Sequence, residues 1–154
     1  MLRSPLFCLL LLCLGPALKA QEGHPSNWTT DLAEAKSLAL DQNAEILMVF
    51  AGSDWCHPCM EFKKEVLLSS AFEAYAAEHL VILYLDFPAR KKNQLPAEQK
   101  AHNEALAERY NRGGAFPKIV LLDPQEHLLA EPAFHHQTPE AFIHELEAIA
   151  ELNP

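Results

Sequence analysis

The chain is poor in cysteine and in basic residues, and it lacks any long apolar segment. Its 154 residues include four cysteines, and lysine and arginine total 12 against 21 acidic residues, for a formal net charge of −9. Such a charge opposes binding to nucleic acid or to anionic lipid. Its apolar runs fall short of the roughly 20 residues of a transmembrane helix. With 49% hydrophobic residues and no internal repeat, one globular domain is expected.

The first 20 residues have the order of a secretory signal peptide. Arg3 precedes a short apolar run at 6–14, and a small residue, Ala20, stands at the expected cleavage point. This order predicts removal of residues 1–20 and a mature domain of residues 21–154. We therefore expect an exported protein, periplasmic or secreted, with no stable membrane insertion after cleavage.

Removal of this leader leaves two cysteines, Cys56 and Cys59. Exported proteins use cysteines mainly as structural disulfides, but a bridge across three positions closes too small a loop to restrict the unfolded chain much. The pair follows an all-apolar run at 46–50, a predicted central strand, and precedes a helical pattern. Unpaired N–H groups of a first helical turn favour a thiolate there. Cys56 is the predicted nucleophile, and Cys59, about one turn further, resolves a mixed disulfide.

The neighbours of the pair are suited to tuning it. A charged His57 would stabilise a thiolate on Cys56, and Pro58 lacks an N–H that the first helical turn leaves unpaired anyway. Trp55 is expected to shape a substrate groove, and Asp54 to help cap the helix.

Helical spacing also predicts how the two thiols are buried. Cys59, Phe62 and Val66 fall on one face, so Cys59 should be shielded and Cys56 more accessible.

Apolar periodicity predicts the order of the remaining elements. The runs at 81–85, 118–122 and 128–130 are typical of strands, the last returning antiparallel after a type I turn at 123–126. A further short strand at 27–29 is weakly marked. The predicted helix starts are Thr30 or Asp31 as a cap, Ser70 as a cap, Pro96 as a first helical residue, and Thr138 followed by Pro139.

This order, with Trp-Cys-His-Pro-Cys at 55–59 after a marked strand and Pro117 opening the strand before the final hairpin, resembles the thioredoxin fold. The segments 50–59, 86–88 and 114–117 are similar to exported bacterial thioredoxin-like proteins related to the soluble domains of thiol:disulfide interchange proteins. The resemblance implies an α/β chain with three layers, α/β/α, around a central mixed sheet. It also implies a cis peptide bond at Pro117, beside which Phe116 offers backbone groups to a substrate strand.

The implied activity is thiol–disulfide oxidoreduction with protein thiols and disulfides as partners, and without a cofactor. Pro58 before Cys59 favours a reductase, which would need an electron supply across the membrane, whereas His57 favours an oxidase. Thioredoxins carry a buried acid and a lysine near the positions of Val49 and Ile82, which are apolar here. Lys118 is a further departure from the thioredoxin pattern, in which a threonine commonly follows the proline.

Two other features keep alternatives open. The thiolates with His57 could hold Cu(I) or zinc, and His135 and His136 could add ligands, but no second C-x-x-C or spaced histidine pair completes a set of four. Metal binding or metal delivery is therefore the alternative function. For the predicted oxidoreductase, no bound metal is expected. The basic run at 90–92 is either a solvated loop or a docking patch for an acidic partner.

Overall fold

Five strands form one mixed sheet whose central strand leads into the cysteine pair. The computed structural model describes residues 27–152, and its strands lie in the order β1-β3-β2-β4-β5. The strands are β1 (Trp28–Thr29), β2 (Glu45–Ala51), β3 (Leu80–Asp86), β4 (Lys118–Leu122) and β5 (Leu128–Ala130). Strand β2 pairs in parallel with β3 and antiparallel with β4, and β5 returns antiparallel to β4. The predicted mixed sheet is confirmed.

Five α-helices surround this sheet. They are α1 (Leu32–Gln42), α2 (His57–Glu61), α3 (Ser70–His79), α4 (Ala97–Tyr110) and α5 (Pro139–Leu152). A π-helix, Phe62–Leu67, directly follows α2, and a short 3₁₀ turn occupies Lys91–Asn93. Asp31 caps α1 by accepting a hydrogen bond from the backbone N–H of Glu34, and Thr138 accepts one from Ala141 at the start of α5.

Strand β2 divides its side chains between two cores. Leu47 and Val49 face the layer that contains α2, the π-helix, α3 and α5, whereas Met48 and Phe50 face α1 and α4. Both faces of the strand are covered, which explains why its sequence is apolar at every predicted position. The three-layer α/β/α architecture is confirmed.

Two predicted helix starts are wrong by one residue. Ser69, not Ser70, caps α3, because Ser69 has extended backbone angles and its Oγ accepts the N–H of Phe72. Pro96 precedes α4 as its N-cap residue, since its ψ of 147° is extended and the helix begins at Ala97.

The predicted signal peptide, residues 1–20, lies outside the described residues. Within residues 27–152, no helix is both long enough and apolar enough to cross a membrane.

Candidate active site

Cys56 and Cys59 lie at the start of α2, shortly after the end of β2, and they form a disulfide with an S–S distance of 2.04 Å. Cys56 is the N-cap residue of α2, with extended backbone angles, and its Sγ accepts a hydrogen bond from the backbone N–H of Cys59 at 3.2 Å. The sulfur therefore takes the place that a serine or aspartate oxygen holds at other helix starts. After reduction, the same N–H would stabilise a negative charge on Cys56.

Both cysteines are nearly buried. Cys59 is 1% exposed, as predicted, but Cys56 is only 4% exposed, so the expected contrast between them is small. The disulfide explains this correction, because it draws the Cys56 sulfur against the buried Cys59, within a core that also contains Phe62 and Val66. In the oxidised protein, only a small fraction of either cysteine is therefore exposed to solvent.

Trp55 stands half-exposed beside the disulfide and joins two loops. Its Nε1 donates a hydrogen bond to the carbonyl of Phe87 at 2.7 Å. Its ring meets Phe116 edge-on at 5.1 Å, and Phe116 meets Phe87 in the same manner at 5.5 Å. Gly52 leaves the space that the indole occupies, because a Cβ there would lie 2.3 Å from the ring. The three aromatic rings thus form one apolar surface next to Cys56.

Asp54 fixes the loop that follows β3, and it does not cap α2 as expected. Its carboxylate accepts hydrogen bonds from the backbone N–H groups of Ala89 and Arg90 at 2.9 and 3.0 Å, and from the side chain of Asn93 at 2.8 Å. The Ala89 N–H, above all, lowers the pKa of Asp54. No local pattern in the sequence indicates this contact, since its partners lie more than 30 positions away.

A second carboxylate strengthens the same junction. Asp86, the last residue of β3, accepts hydrogen bonds from both the N–H and the hydroxyl of Ser53, at 2.8 and 2.6 Å. The carbonyl of Asp86 accepts a bond from Asn103 on α4. The turn before Cys56 is therefore held by tertiary hydrogen bonds to β3 and its following loop.

His57 lies at the surface, with 87% of its side chain exposed, one turn before Glu61. Its Nδ1 is 3.9 Å from one oxygen of Glu61, while His136 contacts the other oxygen at 2.8 Å through its Nδ1. This carboxylate thus lies between two imidazoles. The contact with His136 joins residues 75 positions apart, and sequence reasoning missed it.

The Phe116–Pro117 peptide bond is cis, as the resemblance implied. Asn111 holds the preceding turn, because its side chain both donates to the carbonyl of Ala115 and accepts from its N–H, at 2.8 and 3.0 Å. Lys118, the departure from the usual threonine, is ion-paired with Glu131 at 2.7 Å. The contacts of Phe116 with Trp55 bring this turn to the cysteine pair.

The positions that carry charges in thioredoxins are apolar and buried here. Val49 lies opposite Tyr84 on β3, and Ile82 lies opposite Leu47. Burial raises the pKa of Tyr84, whose ring is covered by the Lys63 ammonium at 4.8 Å. Within residues 27–152, the buried polar side chains are asparagines and a threonine, and none is an acid. A buried carboxylate to take the proton of Cys59 is therefore absent from this part of the chain.

The histidines within residues 27–152 do not form a metal site. Among the described residues, no group of three or more histidine, cysteine, aspartate or glutamate side chains is placed to hold a metal ion. His136 is engaged with Glu61, and His135 lies exposed in the loop before α5. The metal-binding alternative gains no support.

A mixed five-stranded sheet, a disulfide at the head of α2 and a cis proline before β4 together define a thioredoxin-fold thiol–disulfide oxidoreductase. The sequence model of the thioredoxin-like family matches residues 27–124. The chain therefore belongs to the thioredoxin-like family.

Individual relatives agree with this assignment. The disulfide bond reductase DsbH of Chlamydia pneumoniae is 32% identical over 120 residues, which cover 78% of this chain and 70% of DsbH. The thioredoxin-related protein DsbJ of the same organism is 31% identical over 76% of this chain, but the match spans only 34% of DsbJ. A solved structure of a DsbH oxidoreductase superposes with a TM-score of 0.73 at 28% identity, over 87% of this chain and 94% of that one.

Proposed function

We propose that the protein is an exported reductase of protein disulfides, with Cys56 as the attacking and Cys59 as the resolving thiol. The observation that carries this proposal is the position of Cys56 as the N-cap of α2, where its sulfur accepts the N–H of Cys59. A thiolate held in this way is a nucleophile at neutral pH. The similarity to a disulfide bond reductase favours reduction over oxidation.

The reaction runs in two exchanges. The Cys56 thiolate attacks one sulfur of the substrate disulfide, an S–S bond forms between them, and the other substrate sulfur leaves as a thiolate. Cys59, once deprotonated, then attacks the Cys56 sulfur, which closes the Cys56–Cys59 disulfide and releases the second substrate thiol. Two electrons pass to the substrate, so a separate dithiol donor must reduce the pair again. For an exported protein, that donor is a membrane electron-transfer partner.

The surrounding residues take substrate-directed roles in this proposal. The half-exposed ring of Trp55 and the backbone of Phe116 and Pro117 form the surface on which an extended substrate segment would lie. His57, when charged, would stabilise the thiolate of Cys56, its neighbour in the chain. Pro58 opens α2 without losing a helical hydrogen bond.

The reduction potential of the Cys56–Cys59 couple tests this function. Protein beginning at Gln21 is equilibrated with thiol buffers, and the trapped thiols are counted. A value near about −270 mV, as in thioredoxin, is expected, and Cys56→Ser should abolish exchange. A value near about −120 mV, as in DsbA, would identify an oxidant instead.

Export is tested separately. The leader at 1–20 predicts that protein recovered from outside the cytoplasm begins at Gln21, which mass spectrometry of the intact chain can measure. An intact chain that retains residues 1–20 would contradict periplasmic or secreted release.

A further inference from the structure

Three consecutive cations, Arg90, Lys91 and Lys92, lie on the loop that follows β3, and hydrogen bonds to Asp54 join this loop to the turn before the cysteine pair. We propose that these residues, the basic loop, dock an acidic segment of the protein whose disulfide is exchanged at Cys56. This inference rests on the proposed function and names the class of partner.

Within residues 27–152, the side chains of the basic loop form no ion pair within 4.0 Å. In residues 27–152, five lysine or arginine side chains lie within 4.0 Å of a carboxylate: Lys36, Lys64, Lys100, Arg109 and Lys118. Arg90, Lys91 and Lys92 are not among them, nor are Lys63 and Arg112. All three residues of the basic loop are exposed, and Arg90 interacts electrostatically with Asp54 over a longer distance. Three adjacent cations repel one another, so an anionic partner would stabilise them.

The loop is nevertheless held in a fixed shape, through its backbone. Asp54 accepts the N–H groups of Ala89 and Arg90, and Gln94 donates to the carbonyl of Pro88 at 2.7 Å. Hydrogen bonds from Asn93 to Arg90 and from Gln94 to Lys91 close the 3₁₀ turn. None of these bonds uses the side chains at 90–92, so their charged groups remain available to a ligand.

The anchor joins the loop that carries these charges to the segment that leads into Cys56. Asp54 precedes Cys56 by two residues, a span of at most about 7 Å along the backbone. Trp55, between them, is bonded to the carbonyl of Phe87 on the same loop. A polypeptide that brings its disulfide to Cys56 therefore arrives at the segment to which the basic loop is anchored.

Charge complementarity selects an acidic protein segment. The chain as a whole carries a formal charge of −9, which opposes nucleic acid and anionic membranes at long range. The basic loop is a local exception at the place where a protein disulfide must arrive. There it would raise the association rate and fix the orientation of an acidic partner.

Single-turnover kinetics with matched peptides test this. Purified, pre-reduced protein is mixed with a disulfide peptide flanked by three aspartates, and with the same peptide carrying three asparagines. The variant K91Q/K92Q leaves Asp54 and its hydrogen bonds in place. The control K36Q/K64Q removes the same charge from α1 and the π-helix. Neutral bis(2-hydroxyethyl) disulfide measures exchange without docking.

We expect the K91Q/K92Q substitutions to slow oxidation of the reduced Cys56–Cys59 pair by the aspartate peptide. The effect should be about fivefold at low ionic strength and smaller at high salt. The asparagine peptide, the neutral disulfide and the control variant should change less than about twofold. Equal rates for both peptides with the unchanged protein would overturn the docking role alone, since exchange would persist. The docking role would also be overturned if K91Q/K92Q lost binding to phosphatidylglycerol vesicles while the unchanged protein showed no preference between the two peptides. No reaction with the neutral disulfide would overturn the proposed function as well.

Discussion

Replacing Gly52 by alanine is expected to displace the Trp55 ring from its place beside the disulfide. The added Cβ would lie 2.3, 2.5 and 2.7 Å from three atoms of the indole. Carbon atoms pack at about 3.5 Å or more, so the ring must move by about 1.2 Å. Because about half of Trp55 is exposed, the ring can swing into solvent instead of forcing the backbone apart.

The cost follows from the contacts that the ring loses. The bond from Nε1 to the Phe87 carbonyl is worth about 0.5–1.5 kcal/mol, and the edge contact with Phe116 about the same. The expected loss in free energy of unfolding is therefore about 1–3 kcal/mol. For a domain of this size, that lowers Tm by about 4 °C per kcal/mol. Exchange with peptide disulfides should slow as well, since the apolar surface beside Cys56 is disrupted.

Urea unfolding of the oxidised protein, followed by circular dichroism, measures this loss, and Gly113→Ala is the matched control. No atom lies within 4 Å of a Cβ added at Gly113, so that variant should change stability by less than about 1 kcal/mol. In a Trp55→Ala background, Gly52→Ala should cost almost nothing, because the clash is with the ring. An equal loss in both backgrounds would refute the steric reasoning, as would unchanged stability of Gly52→Ala itself.

Three further predictions concern the thiols, the core and the surface charge. Cys59→Ser should trap mixed disulfides between Cys56 and substrate proteins, visible on non-reducing gels, and a variant that turns over normally would remove Cys59 from the mechanism. Phe142→Ala should cost about 3–5 kcal/mol in urea unfolding, because this ring is fully buried among other aromatics, and a loss below about 1 kcal/mol would contradict its place in the core. Hydrogen bonds from Lys36 and then Arg109 lower the pKa of Glu126 from its ordinary value of 4.5. The ionised carboxylate therefore stabilises the fold above pH 4.5, and this stabilisation is lost as the pH falls through the lower pKa of the folded state. Glu126→Gln should therefore lower Tm at neutral pH, and this difference should shrink as the pH is lowered below 4.5; a difference that stays constant over that range would contradict the ion-pair origin.

Much of the sheet could be predicted because its two central strands each contain five consecutive apolar residues. The run at 46–50 became Glu45–Ala51 and the run at 81–85 became Leu80–Asp86, each longer by one residue at both ends. Strand ends are set by the partner strand and not by local hydrophobicity, so pairing of Glu45 with Leu80 could not be foreseen. A helix start depends on backbone angles, which two adjacent serines do not reveal. The pattern therefore predicts Ser70 as the cap of α3, whereas the structure has Ser69.

The cysteine pair and its neighbours could be located from spacing, but the contacts that hold them could not. The contacts of Asp86 with Ser53, of Asp54 with Ala89 and of Glu61 with His136 span 33, 35 and 75 positions. No local pattern encodes such a contact. The π-helix after α2 also left no signal, since Phe62 and Val66 keep their buried side at either helical period.

Asp54 binds main-chain amides, and this has a consequence for how the protein can diversify. The amides of Ala89 and Arg90 exist whatever side chains the loop carries, so residues 90–92 can change without loosening the turn before Cys56. Under the docking proposal, changes at these positions would alter partner preference and leave the redox chemistry constant. The same separation offers a route to engineering, in which acidic residues at these three positions would redirect the enzyme toward basic clients.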